Sequence, residues 1–129
     1  MAGGFSAQAR EADFISEVRA VTTEGRRSGE GYFSADGRRL VYQSEQDETN
    51  PFYSIYLKDL KTETTRKISP GVGRATCAWI HPTDDRVLFS STHLDPLALE
   101  KQRQELEDRA AGRRRPYAWD YDETYDLFE

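Results

Sequence analysis

The chain has 129 residues, enough for one domain of ordinary size, and 36% of them are hydrophobic against 32% charged. A formal net charge of −5 excludes a general attraction to nucleic acid, and no apolar run approaches the ~20 residues that span a bilayer. Cys77 is the only cysteine, which excludes an intrachain disulfide and a cysteine-rich metal site.

Residues 1–13 read as a flexible N-terminal segment. Residues 1–9 lack the basic and apolar regions of a working signal peptide, although Ala7-Gln8-Ala9 has the form of a cleavage site. Residues 14–28 read as an outer strand, centred on 14–22, that belongs to a closing unit. A first unit over 29–70 follows. In it "YFSADGRRLVYQS" (32–44) supplies a strand end, a hairpin turn at Ser34-Ala35-Asp36-Gly37 and a second strand. Asp can bond the turn backbone and Gly can take a positive φ. The spacing predicts a polar loop over 45–52, a third strand over 53–59, a turn at 60–63 and a fourth strand over 64–69.

A shift of 47 positions lays this stretch on "WIHPTDDRVLFSS" (79–91). Tyr32 meets Trp79, Arg39 meets Arg86, Leu40-Val41-Tyr42 meets Val87-Leu88-Phe89 and Ser44 meets Ser91. The offset extends upstream without a gap, so Val18 to Thr22 fall on Thr65 to Ser69 and Arg27 falls on Arg74. Residues 71–129 are therefore a second, incomplete copy. Its 92–122 segment is an insertion in which Asp95-Pro96 offers an N-cap and a first-turn proline, and Gly112 a stop. A mostly exposed helix over 96–111 is predicted, packing through Leu99 and Leu106. Matching Thr124-Tyr125 to Ile55-Tyr56 makes 123–128 a third strand.

Four short antiparallel strands in about 45 residues is the size of one propeller blade. "YFSADGRRLVYQS…SIYLKDLKTETTRKIS" resembles the TolB-type β-propeller repeat, with an aromatic-Ser-Pro-Asp-Gly turn, an apolar strand ending in Ser, and an Ile-Tyr-x-x-Asp strand. Ala35 stands where the pattern has Pro, and the 81–85 turn keeps Pro82 while losing the Asp-Gly. The likeness covers 18–91 well and 123–129 poorly. It implies an all-β fold of antiparallel four-stranded WD40-like blades, an incomplete propeller with one helical insertion. It also implies a periplasmic or cell-envelope setting. A fold is not a function. The function it suggests is a non-catalytic scaffold that binds a protein or peptide through its loop face. The alternative is the N-terminal propeller of a peptidase whose catalytic domain lies beyond residue 129. Taken as a fragment, the chain is expected to self-associate, because each sheet leaves its outer face in water.

No catalytic constellation is expected: there is no G-x-S-x-G elbow and no HExxH, and no motif asks for a cofactor or a metal. Asp120, Asp122, Glu123 and Asp126 lack the spacing of a calcium loop and read as solvated charge. His81 reads as a turn residue, and Cys77 as a small apolar residue packed in an inner strand. The candidate binding surface is the insertion: His93 and Asp95 at its mouth, then Arg113, Arg114, Arg115 and Trp119.

Overall fold

A computed structural model describes residues 10–113 and 121–129. Among these residues a single 3-10 turn (Glu11–Asp13) is followed in chain order by seven strands and one α-helix: β1 (Arg27–Phe33), β2 (Arg39–Glu45), β3 (Ser54–Asp59), β4 (Thr65–Lys67), β5 (Ala75–Ile80), β6 (Val87–Ser91), α1 (Ala98–Ala110) and β7 (Asp126–Phe128). β1 to β4 form a four-stranded antiparallel meander, and β5 to β7 a three-stranded antiparallel sheet in the same order. The fold is thus mostly β with one helical insertion, as the sequence predicts. The first sheet begins at Arg27, two residues before the predicted boundary, and residues 14–22 form no strand.

The two sheets repeat each other residue for residue. β1 pairs Ser28 with Ser44, and β5 pairs Ala75 with Ser91; Tyr32 faces Val41 as Trp79 faces Leu88. The Ser34 N–H donates to the Arg39 carbonyl at 2.8 Å, and the His81 N–H donates to that of Arg86 at 2.8 Å. Even the irregularity recurs. Both first strands carry a bulge, between Gly29 and Tyr32 and between Thr76 and Trp79. Glu30 and Cys77 occupy these bulges with φ of 49° and 52°. A bulge leaves one residue unpaired and re-aims its side chain. Cys77 is accordingly exposed, which corrects the expectation of a packed inner-strand cysteine.

The sheets stack through one core. Val41, Ile55 and Leu57 from the first meet Ala75, Ala78 and Phe89 from the second, with Tyr32, Ile68 and Phe128 packed against them. β2 is buried along nearly its whole length because both of its faces are covered. Its second face carries Leu40 and Tyr42, which join Tyr56 in a smaller cluster against Val21 and Leu60. This corrects the expectation that the first sheet leaves its outer face in water: the chain before β1 lies over it, held by Lys58 Nζ on the Val21 carbonyl at 2.9 Å. On the second sheet the expectation holds, with Leu88 44% and Leu127 68% exposed.

The second sheet's third strand is displaced from its predicted alignment. β7 sets Asp126, Leu127 and Phe128 opposite Ser91, Ser90 and Phe89, so Phe128 and not Tyr125 is the counterpart of Tyr56. Thr124 instead belongs to a turn in which Asp122 Oδ1 accepts from its N–H at 3.1 Å and its hydroxyl at 2.7 Å. Asp47 and Thr49 form the same turn before β3, at 2.9 and 2.6 Å.

Candidate functional site

Two features stand out beside the stacked sheets: the docked insertion and a cleft next to it. The insertion leaves β6 through His93-Leu94-Asp95. Asp95 Oδ1 accepts the Leu97 N–H at 2.9 Å, and its carbonyl accepts the Ala98 N–H at 3.0 Å. The helix proper starts at Ala98 with Leu97 as its cap residue, so Asp95 organises the approach instead of capping directly. Gly112, at φ +71°, ends it as predicted.

α1 docks by polar contacts. Its inward stripe is Ala98, Gln102, Glu105 and Arg109, spaced for one face of a helix, whereas Leu99 points to solvent. This corrects the expectation of packing through Leu99. Gln102 Oε1 accepts the Gly73 N–H at 2.7 Å, and its amide reaches the Thr49 carbonyl at 3.3 Å. Gly73 sits at φ +75°, and a Cβ there would stand 2.7 Å from Thr92 Oγ1, so only glycine fits. Arg109 bridges Glu105, Glu45 and the Pro51 carbonyl at 2.6–2.8 Å. The insertion of the second unit is therefore latched onto the β2–β3 loop of the first.

A charged knot ties the mouth of the insertion to its return. Lys101 Nζ lies 2.7 Å from Asp95 and 2.8 Å from Asp122, and Arg74 Nε is 3.8 Å from Asp122. The Arg74 guanidinium in turn covers the Phe52 ring at 3.8 Å. Burial works against ionisation of Asp122, but Lys101 and the Thr124 donors overcome it and hold its pKa down at about 2. Asp47 is also lowered to about 2, by the Thr49 hydroxyl first and by Lys67, whose ammonium is 3.0 Å away. The two carboxylates on Lys101 raise the ammonium pKa.

The cleft, about 600 Å³, opens between β4 and the outer edge of the second sheet. Ile68, Val87, Phe89 and Phe128 form its apolar floor; Arg66, Asp85, Arg86 and Glu129 stand around it. His93 enters from the insertion side. Its ring lies 4.2 Å from that of Phe128, and its Nδ1 meets Ser91 Oγ at 3.0 Å. β7 is the outermost strand of its sheet, and among the described residues nothing pairs with its free edge. An extended segment could thus add to β7 while dropping alternate side chains onto the floor.

The predicted surface residues part company here. His93 lines the cleft, and Asp95 is engaged by Lys101. Arg113 pairs with Asp108 at 2.6 Å on the last turn of α1. Arg114, Arg115 and Trp119 lie outside the described residues, as does Asp120. His81 accepts the Thr83 and Asp84 N–H groups through Nδ1, at 3.3 and 3.0 Å, which is the work of a turn residue. Among the described residues no three His, Cys, Asp or Glu side chains gather as metal ligands, and no helix is long and apolar enough to cross a membrane. Gln102, Arg109 and Asp47 were not singled out from the sequence. The signals for them are the polar i, i+7 spacing of Gln102 and Arg109, and the tripeptide Asp-Glu-Thr, which occurs at both 47–49 and 122–124.

Comparisons with protein-family models, with curated proteins and with solved structures give no match.

Proposed function

We propose that the chain is a TolB-like β-propeller segment that serves as a non-catalytic, peptide-binding scaffold in the bacterial cell envelope. The repeat supports the architecture: two antiparallel sheets share strand register, bulge and hairpin closure at a constant offset of 47 residues. The resemblance of residues 18–91 to TolB-type repeats supports the setting.

The observation that carries the binding reading is the cleft beside β7. An apolar floor next to an unpaired strand edge is what β-strand addition requires. Backbone pairing supplies affinity, and the floor selects alternate side chains. Phe128 and His93 contribute the aromatic surface, and the mixed charges around the opening suit a polar peptide backbone with one or two apolar anchors. The insertion fixes one wall, because the Lys101 knot holds both its mouth and its return.

A library of random peptides selected on the immobilised 129-residue chain tests this. Selected peptides should read as short alternating strands, shift the amide resonances of β7 and Phe128, and lose binding when His93→Ala is combined with Phe128→Ala. Peptides that bind without perturbing β7, or no selection above background, would remove the reading.

A further inference from the structure

We infer that residues 14–24 form a hinged lid over the outer face of the first sheet, with Gly25 as its hinge and a single clasp between Val21 and Lys58. The lid opens while both sheets stay folded, and its opening gives solvent access to a face that the closed chain conceals. This goes beyond the strand-binding reading and does not depend on it.

The concealed face is built by β2 and β3. Tyr42 pairs with Tyr56 and Leu40 with Lys58, so all four side chains leave the sheet on the side away from the common core. All four residues are buried, and the Lys58 side chain is only 9% exposed. An ammonium in such a place needs acceptors. It has the Val21 carbonyl at 2.9 Å and, from the turn between β3 and β4, Glu63 Oε2 at 3.6 Å. The shorter of these contacts comes from the lid.

The lid is held at one place. Between residues 11 and 24 only Val21 and Thr22 are half-buried, and Phe14, Ile15 and Val18 are 79%, 52% and 82% exposed. Val21 packs on the cluster of Leu40, Tyr42 and Tyr56. Even there the fit is loose. A space of about 160 Å³ remains between Val21, Thr22 and a floor that includes Gly29, Gly31, Leu40 and Tyr42. The two glycines of β1 give the lid no side chain to pack on.

The hinge follows from the end of β2. The chain is pinned at Arg26, whose N–H donates to the Glu45 carbonyl at 2.8 Å. Gly25, one residue earlier, has φ +82°, and a Cβ there would stand 2.5 Å from that same carbonyl oxygen. Only glycine passes so close to the strand end while keeping a wide choice of dihedrals on which the segment can swing. Opening gives up one half-buried valine and one hydrogen bond to an ammonium that water then solvates. Local openings of this kind run ahead of global unfolding. Roughly one molecule in 10²–10³ should be open at equilibrium.

Acylation of lysines in the full chain by a small activated ester, read residue by residue by mass spectrometry, tests the lid. Lys61 is exposed and serves as the reference, and Lys67, held by Asp47 at 3.0 Å, reports general loosening. In the wild type Lys58 should react ~10²–10³-fold more slowly than Lys61, at a rate that low urea leaves unchanged. Val21→Ala weakens the clasp and should speed Lys58 at least ~5-fold while leaving Lys67 alone. Val21→Ile reaches into the space under the lid and should slow Lys58. Labelling of Lys58 that rises with urea in step with amide exchange in β2 would mean that the face opens only by global unfolding, and would overturn the inference. So would a Lys58 rate that neither variant changes, or one that Val21→Ala changes together with that of Lys67.

Discussion

Tyr32 and Trp79 stack ring on ring, with centroids 4.5 Å apart and planes 23° from parallel, and each follows the bulge in the first strand of its own sheet. Residues equivalent in sequence thus touch in space. That happens when consecutive units are placed by the same operation, so the contact reports the repeat directly. Arg39 of β2, ion-paired with Asp85 in the second unit's turn, and Gln43, which accepts from the Thr76 hydroxyl at 2.6 Å, add polar pins along the same seam.

The seam makes equivalent residues unequal in worth. Ile55 and Leu127 hold the same register place in their sheets, yet one is fully buried and the other mostly exposed. Ile55→Ala should cost about 2–5 kcal/mol, since it leaves a cavity in the common core. Leu127→Ala should change the stability of the dilute chain by under about 0.5 kcal/mol. Urea denaturation of both variants at low protein concentration measures the contrast.

Removing the side chain of Gln102 should free the insertion. The Gly73 N–H then loses its acceptor in a buried place, at a cost of about 1–3 kcal/mol. Gln102→Ala should speed amide exchange at Gly73 and along α1 while leaving β2 and β3 protected. Glu would keep an acceptor, so Gln102→Glu should retain protection at Gly73 itself.

Acid should weaken the same latch. Asp47 and Asp122 both have folded-state pKa values of about 2, below their ordinary value of 3.8. Each contributes stability that is fully present above the ordinary value and is lost as pH falls through about 2. Thermal melts should show a declining midpoint between about pH 4 and pH 2. Asp47→Asn combined with Asp122→Asn should flatten that decline and lower the midpoint at neutral pH.

The first sheet is legible in the sequence because its turns are chemical: Asp36-Gly37 and Asp59 followed by Lys61-Thr62 bond their own backbones, so the strands between them are bounded locally. The second sheet's first two strands are legible because they copy the first. Its third strand is not, since the aromatic spacing of Tyr125 matches Tyr56 while the Asp122–Thr124 turn sets the actual register three residues later. The docking face of α1 is also hidden. Apolar spacing points to Leu99 and Leu106, but the surface that receives the helix offers a carbonyl, an N–H and a carboxylate, and it selects Gln102 and Arg109. Of the residues predicted from the sequence, His93 lies at the cleft because it follows β6 directly, whereas the cleft itself depends on Ile68 and Phe128, which are far apart in the chain.

Cys77 gives a chemical probe of the bulge. It is exposed, so the folded chain should react fully with a thiol reagent without denaturant. Its φ of 52° costs a non-glycine residue about 1–2 kcal/mol, offset in part by the greater unfolded-state freedom of glycine. Cys77→Gly should therefore be neutral or slightly stabilising in urea, and Cys77→Val clearly destabilising.

The placing of one unit on the next is tested most directly by nuclear Overhauser contacts between the rings of Tyr32 and Trp79, measured together with cross-strand contacts in both sheets. Strong ring-to-ring contacts are expected, with Ser28–Ser44 and Ala75–Ser91 backbone contacts of matching pattern and a ring contact between Phe89 and Phe128. Separate Tyr32 and Trp79 environments, or helical contacts across residues 39–45 or 54–59, would contradict it.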